Sequence, residues 1–100
     1  MSPGETALSE ITVQGYIVVP REDLAAVVSE LPRHIELTKQ EEGCLFFEVT
    51  QDPGNDCIFM VREKFSSRSA FEFHQERVEG SLWGSITASV ERHYEVRESG

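Results

Sequence analysis

Glu41-Glu42-Gly43-Cys44-Leu45-Phe46-Phe47-Glu48-Val49-Thr50-Gln51-Asp52-Pro53 is the stretch whose reading decides the fold. Its acidic start ends a helix, and Gly43 stands where a helix C-terminus calls for a left-handed residue. Cys44 to Gln51 is rich in the aromatic and β-branched residues that suit a pleated, half-buried surface. Asp52-Pro53-Gly54-Asn55-Asp56 is the densest turn signal of the chain. Cys57 to Phe65 follows at once as the return strand. This segment therefore sets the order helix, strand, hairpin, strand. It offers no side chain expected to do chemistry, which is sought on the helices packed against it.

Working outward, Ile11 to Val19 reads as a strand that begins with alternation and ends in an apolar run, as a central strand covered on both faces would. Gly15 marks a bulge or a close approach within it. Pro20 ends the strand, and Arg21-Glu22-Asp23 supplies acidic charge for a helix first turn. Leu24, Val27, Val28, Leu31, Ile35 and Thr38 then repeat at helical steps to about Gln40. Pro32 inside this pattern predicts a kink, or two helices meeting there. His34 falls beside Leu31 and Ile35, at the rim of the buried face.

On the return strand Cys57, Phe59, Val61, Glu63 and Phe65 share one face, and Ile58, Met60, Arg62 and Lys64 the other. Glu63 is thus a carboxyl among aromatics. Ser67 is the expected N-cap of a second helix, with His74 on its inward side near Ala70 and Phe71. Leu82 and Trp83 lie in a short helical segment between glycines. Val90 to Val96 alternates as the last strand, with Val90, Arg92, Tyr94 and Val96 on one side and His93 opposite.

The element order is βαββαβ. The right-handed crossover rule then gives an α+β, ferredoxin-like protomer: a four-stranded antiparallel sheet with helices on one face. Residues 10–97 form one domain, with tails at 1–9 and 98–100. The uncovered sheet face carries apolar residues from several strands, so a face-to-face homodimer is expected.

The chain has 100 residues, of which 39% are apolar, enough for one modest core. Its net charge of -9, from 18 acidic and 9 basic residues, argues against nucleic acid or an anionic membrane as partner. No apolar run approaches a membrane span, and Met1 to Glu10 is unlike a signal peptide. With the turn centred on Gly54, Gln51 is expected opposite Cys57, and Cys44 opposite about Lys64. The two cysteines are then too far apart for a disulfide. With no metal spacing, they fit a reducing cytoplasm and a small-hydrophobe role.

No stand-alone catalytic motif is present. What remains is a set of polar side chains aimed at an apolar interior: His34, His74, Glu63, Tyr16 and Tyr94. Two histidines from facing helices could serve as acid and base in one cleft. Each has a plainer reading as a hydrogen-bonded structural residue, and Phe65 and Trp83 are core residues before they are walls of an aromatic pocket.

Two motifs carry a family resemblance. Glu41-x-Gly43-Cys44-Leu45-x-Phe47-Glu48-Val49 with Gln51-Asp52-Pro53, then Glu63-x-Phe65-x-Ser67-x-x-Ala70-Phe71-x-x-His74, resemble segments of the antibiotic biosynthesis monooxygenase superfamily. The resemblance spans about Ile11 to Val96. It implies a dimeric α+β barrel and, among its members, monooxygenases that oxidise aromatic polyketides or quinols with O2 and no cofactor. His74 matches that family's helix histidine; with the residue reading above, His74 and His34 are expected to handle protons, and Tyr16, Glu63, Phe65, Tyr94 and Trp83 to line a small-molecule pocket. Phe65 stands where many members carry Trp, and no Asn precedes the first helix as in haem-degrading relatives. His34, Gln40 to Gly43, Gln51 to Pro53 and Phe73-His74 also resemble the isomerase that processes phosphorylated autoinducer-2. That implies enolisation by an acid-base pair, with Arg62, Lys64 and Arg92 the candidates to hold phosphate. A non-catalytic, dimeric ligand-binding module is the third reading.

Overall fold

A computed structural model describes residues 9–99. Strands β1 (Ile11–Val18), β2 (Cys44–Asp52), β3 (Asn55–Phe65) and β4 (Glu91–Glu98) form one antiparallel sheet in the order β2-β3-β1-β4. Helices α1 (Leu24–Lys39), α2 (Arg68–Glu79) and α3 (Leu82–Ile86) complete it, with a short 3-10 turn at Arg21–Asp23. This is the ferredoxin-like α+β fold. Most of the expected N-terminal tail lies outside the described residues. At the other end the last strand runs one residue into the expected tail, where Glu98 pairs with Ile11 of β1.

Alternation on β3 separates the faces as the pattern requires. Phe59, Val61, Glu63 and Phe65 are buried under the helices, while Met60, Arg62 and Lys64 are exposed. Apolar packing divides into two clusters. Ile17, Val19, Val27, Phe59, Val61, Trp83 and Val90 form one, and Ile11, Val13 and Phe65 the other. On β3 the residue between the clusters is Glu63.

Several local expectations change. Two irregularities displace the hairpin, between Cys44 and Phe46 and between Gln51 and Asp52. Gln51 therefore faces Phe59 rather than Cys57, and Cys44 faces Phe65 rather than Lys64. Both cysteines are free thiols. Helix α1 runs unbroken through Pro32 instead of dividing there. Pro32 and Val28, whose carbonyl the proline leaves without a helical partner, are both exposed, so water can satisfy that carbonyl.

Two glycines are required by close approach. Gly43 has no left-handed backbone; its role is spatial, because a Cβ there would lie 2.2 Å from Ala70 Cβ. The start of α2 is thereby drawn against the α1–β2 turn, with Ser66 N donating to Gly43 O at 2.8 Å. Ser67 caps α2 as expected, accepting from Ala70 N. At Gly15 a Cβ would stand 1.9 Å from the backbone oxygen of His93 in the neighbouring strand. There is no register shift at Gly15, so it marks a close approach and not a bulge. Gly15→Ala must push β1 and β4 apart and is expected to cost about 2 kcal/mol or more. Urea unfolding reads this directly, and a variant as stable as the parent would show that the strand pair is not held at this separation.

Candidate active site

Because α1 and α2 cover β2, β3 and β1 but leave β4 open, a cleft of about 550 Å³ remains between the sheet and the helices. Its floor is built from cross-strand rows. Phe47, Glu63, Val13 and Val96 stand in one register, and Val49, Val61 and Tyr94 flank side-chain-free Gly15 in the next. His34 of α1, Phe71, His74 and Val78 of α2, and Trp83 of α3 form the walls. Arg92 and Tyr94 stand along the open side.

His34 lies deeper than the rim position its sequence spacing suggests, being 4% exposed. The inward line of α1 runs through buried Val27, half-buried Leu31, and buried His34 and Thr38, which puts the histidine on the axis of the stripe. Its ring stacks on Trp83 at 4.4 Å and 5° and meets Phe47 edge-on at 5.3 Å. Burial, with the charges of His74 and Arg77 nearby, pulls its pKa down to about 3. It is therefore a neutral ring at physiological pH, and its buried Nδ1 has no hydrogen-bond partner among the described residues.

His74 lies 6.2 Å away, ring to ring. Its Nδ1 is 3.0 and 3.2 Å from the two oxygens of Glu41. Glu41 also accepts from Arg77 Nε at 2.5 Å, and Arg77 Nη2 donates to Thr38 Oγ1 at 2.8 Å. Burial is the main reason the His74 pKa falls below that of a free histidine; Glu41 opposes the fall and Arg77 adds to it. Nε2 of His74 makes no hydrogen bond, and it is not among the sealed polar atoms of the described residues. It opens into the cleft that His74 lines.

Glu63 is 8% exposed and makes no hydrogen bond or ion pair among the described residues. Burial, then the charge of Glu41, raises its pKa to about 7. The phenol of Tyr94 is turned toward Glu63 and Arg92 although the ring is partly exposed, and burial raises its pKa to about 12. Arg92 Nη2 donates to Thr87 Oγ1 at 3.0 Å, which ties β4 to the end of α3.

The structure thus brings together His34, His74, Glu63, Tyr94 and Trp83. Two other expected residues stand elsewhere. Tyr16 points from the opposite face of β1, where it stacks on His93 at 4.6 Å. Phe65 is wholly buried behind the site, packed on Phe71 and on His74 at 5.6 and 4.9 Å. Glu41 is the site residue that sequence reasoning misses, although it continues the stripe of α1 at the next helical step after Thr38. Among the described residues no group of three His, Cys, Asp or Glu is arranged to hold a metal ion, and no helix is long and apolar enough to cross a membrane.

The fold and this cleft place the chain in a family. Residues 10–79 match antibiotic biosynthesis monooxygenase, and the chain belongs to that family. It is 29% identical over 66 residues to the provisionally named monooxygenase YcnE of Bacillus subtilis (strain 168), covering 66% of this chain and 70% of that one. A provisionally named antibiotic biosynthesis monooxygenase from Nitrosomonas europaea has the same fold, with a TM-score of 0.72 at 18% identity over 94% of this chain and 90% of that one. A Bacteroides thetaiotaomicron protein of unknown function gives 0.72 at 18% identity, covering 92% and 99%.

The raised pKa of Glu63 has a measurable consequence. The folded protein keeps this proton up to about pH 7, whereas the unfolded chain releases it near 4.5. Its contribution to stability is complete below the lower value and is lost as the pH rises through the upper one. Glu63→Gln cannot ionise, so its stability relative to the parent should rise by up to about 3 kcal/mol between pH 4 and pH 8. Urea melts of both proteins at the two pH values test this; a constant difference would show that Glu63 titrates like a solvated carboxyl.

Proposed function

We propose that the cleft is the active site of a monooxygenase that oxidises a small phenolic or quinol-type substrate with O2, the substrate itself supplying the electrons. One observation carries the reading. A neutral histidine, His74, presents an unbonded Nε2 to an aromatic-walled cavity and is held from behind by a buried carboxylate. This is the arrangement a general base needs. A volume of about 550 Å³ suits a small ring system, and Trp83, Phe47 and the flat face of His34 offer it stacking surfaces.

In this reading His74 Nε2 takes a proton from the activated carbon or hydroxyl of the substrate. The anion passes electrons to O2, and a carbon–oxygen bond forms. At an activated methylene the balance is one methylene and one O2 consumed, one ketone carbonyl and one water formed. One oxygen atom stays on carbon, and the other leaves as water with the two hydrogens. A dry, preorganised site favours such an anion over its hydrated competitor. The isomerase alternative fits less well, because a phosphate dianion would meet a single guanidinium, Arg92, beside Glu63 and Glu79.

Oxygen uptake with a panel of quinols and anthrone-type ketones tests the reaction. His74→Ala is expected to lower turnover by about 10² to 10⁴ with the fold intact by circular dichroism. No uptake by the parent would sink the monooxygenase, and an undiminished variant would remove His74 as the base.

The reading includes a homodimer formed through the outer sheet face, where Phe46 and Met60 are 44% and 43% exposed on adjacent strands. Light scattering should give twice the 11.3 kDa chain mass; the mass of a single chain at micromolar concentration would overturn the assembly.

A further inference from the structure

We infer that Glu41 is a positioning residue for this site: it fixes His74 in the tautomer that protonates Nδ1 and leaves Nε2 free to accept a proton. The inference rests on the proposed reaction only for its kinetic consequence, since the tautomer itself can be observed without turnover.

Donors and acceptors around Glu41 decide the tautomer. Glu41 lies in a tight turn after α1 whose backbone is held on both sides: Glu41 N donates to Thr38 O and Cys44 N to Glu41 O. The turn swings the side chain inward to 4% exposure. There it meets Arg77 Nε at 2.5 Å and His74 Nδ1 at 3.0 Å. A carboxylate paired with a guanidinium has only acceptors to offer. His74 Nδ1 must therefore be the donor, and in a neutral imidazole the second nitrogen is then bare. That second nitrogen is the one open to the cleft.

The same geometry serves the protonated ring. When Nε2 takes a proton, the imidazolium is flanked by Glu41, which stabilises it without itself taking the proton, as in other carboxylate–histidine pairs. The remaining charged or titratable groups facing His74 are Arg77 on its own helix, His34 across the cleft and Glu63 on the sheet. None of these is hydrogen-bonded to it. Glu41 also lines a second groove, outside the cleft, with Gln40, Ser66, Ser67 and Arg77. It therefore reaches His74 from behind and leaves the substrate side unobstructed.

Glu41→Gln makes a sharp prediction. Arg77 Nε still needs an acceptor and takes the amide oxygen, which turns the amide NH2 toward His74 Nδ1. Nδ1 must then accept, so the proton moves to Nε2 and the cleft loses its base. Nitrogen-15 NMR of imidazole-labelled protein should show Nδ1–H in the parent at pH 8 and Nε2–H in the variant. The kcat/KM of the variant should fall by about a hundredfold or more, with Glu41→Asp keeping the parental tautomer and part of the activity. An Nε2–H tautomer in the parent overturns the proposal even if the variant cannot be folded. An unchanged tautomer in a folded Glu41→Gln does so as well. The parental tautomer with the predicted switch, but no oxygen uptake by the parent, would uphold the positioning role and reject the reaction.

Discussion

A carboxylate as buried as Glu41 is tolerated only where donors meet it, and much of this structure follows from meeting that condition. The turn after α1 aims Glu41 inward; Gly43, lacking a Cβ, lets Ala70 and the start of α2 come close enough to deliver His74 and Arg77. Thr38 takes the second donor of Arg77. Four residues from two helices and one turn are thus linked into a single polar unit. Removing one partner strands the others in a low-dielectric setting, so the unit ties α1 to α2 through contacts that are costly to break singly.

His74 joins that unit to a polar interval that divides the core. Ile11, Val13 and Phe65 pack at one end and the larger cluster around Phe59 and Val27 at the other. His34, His74 and Glu63 occupy the interval between, with Phe47 touching both histidine rings. A continuous apolar core would be the simpler way to stabilise a chain of 100 residues. The polar interval gives up some of that burial, and what it leaves is a cavity with directed nitrogen and oxygen atoms. Sites of this kind are where local rules of stability are expected to be broken.

Most of the architecture is legible in the sequence because it depends on period. Strand alternation places Glu63 inward and Arg62 outward, the serine pair locates the start of α2, and the Asp52–Asn55 turn fixes the hairpin. What is not legible depends on the third dimension. Two irregularities move the hairpin register, which no alternation pattern reports. Residue type suggests Tyr16 for the cleft, yet its parity with Ile17 puts it on the outer face. Phe65 is suggested by its aromatic type and by the family resemblance, but it fills the space behind His74 rather than the cleft. Glu41 reads as an acidic helix end, since a charge in sequence gives no sign of burial; only its step from Thr38 hints at the inward face.

Desolvation ties these points together. Burial lowers the pKa of both histidines and raises that of Glu63, so each of the three is driven toward its neutral form. In the proposed reaction such a cleft would receive a neutral, flat substrate, and any anion created within it would be poorly solvated. Such an anion becomes accessible only if its proton stays close, on a ring whose positive charge is itself opposed. Of the two histidines, His74 has that support: Glu41 contacts it, and among the described residues no carboxylate is hydrogen-bonded to His34. Proximity alone makes the two rings look equivalent in the sequence. Their hydrogen-bond partners differ: Glu41 holds His74, whereas His34 is a neutral ring stacked on Trp83, so in the proposed reaction the first would carry the proton and the second would serve as a wall.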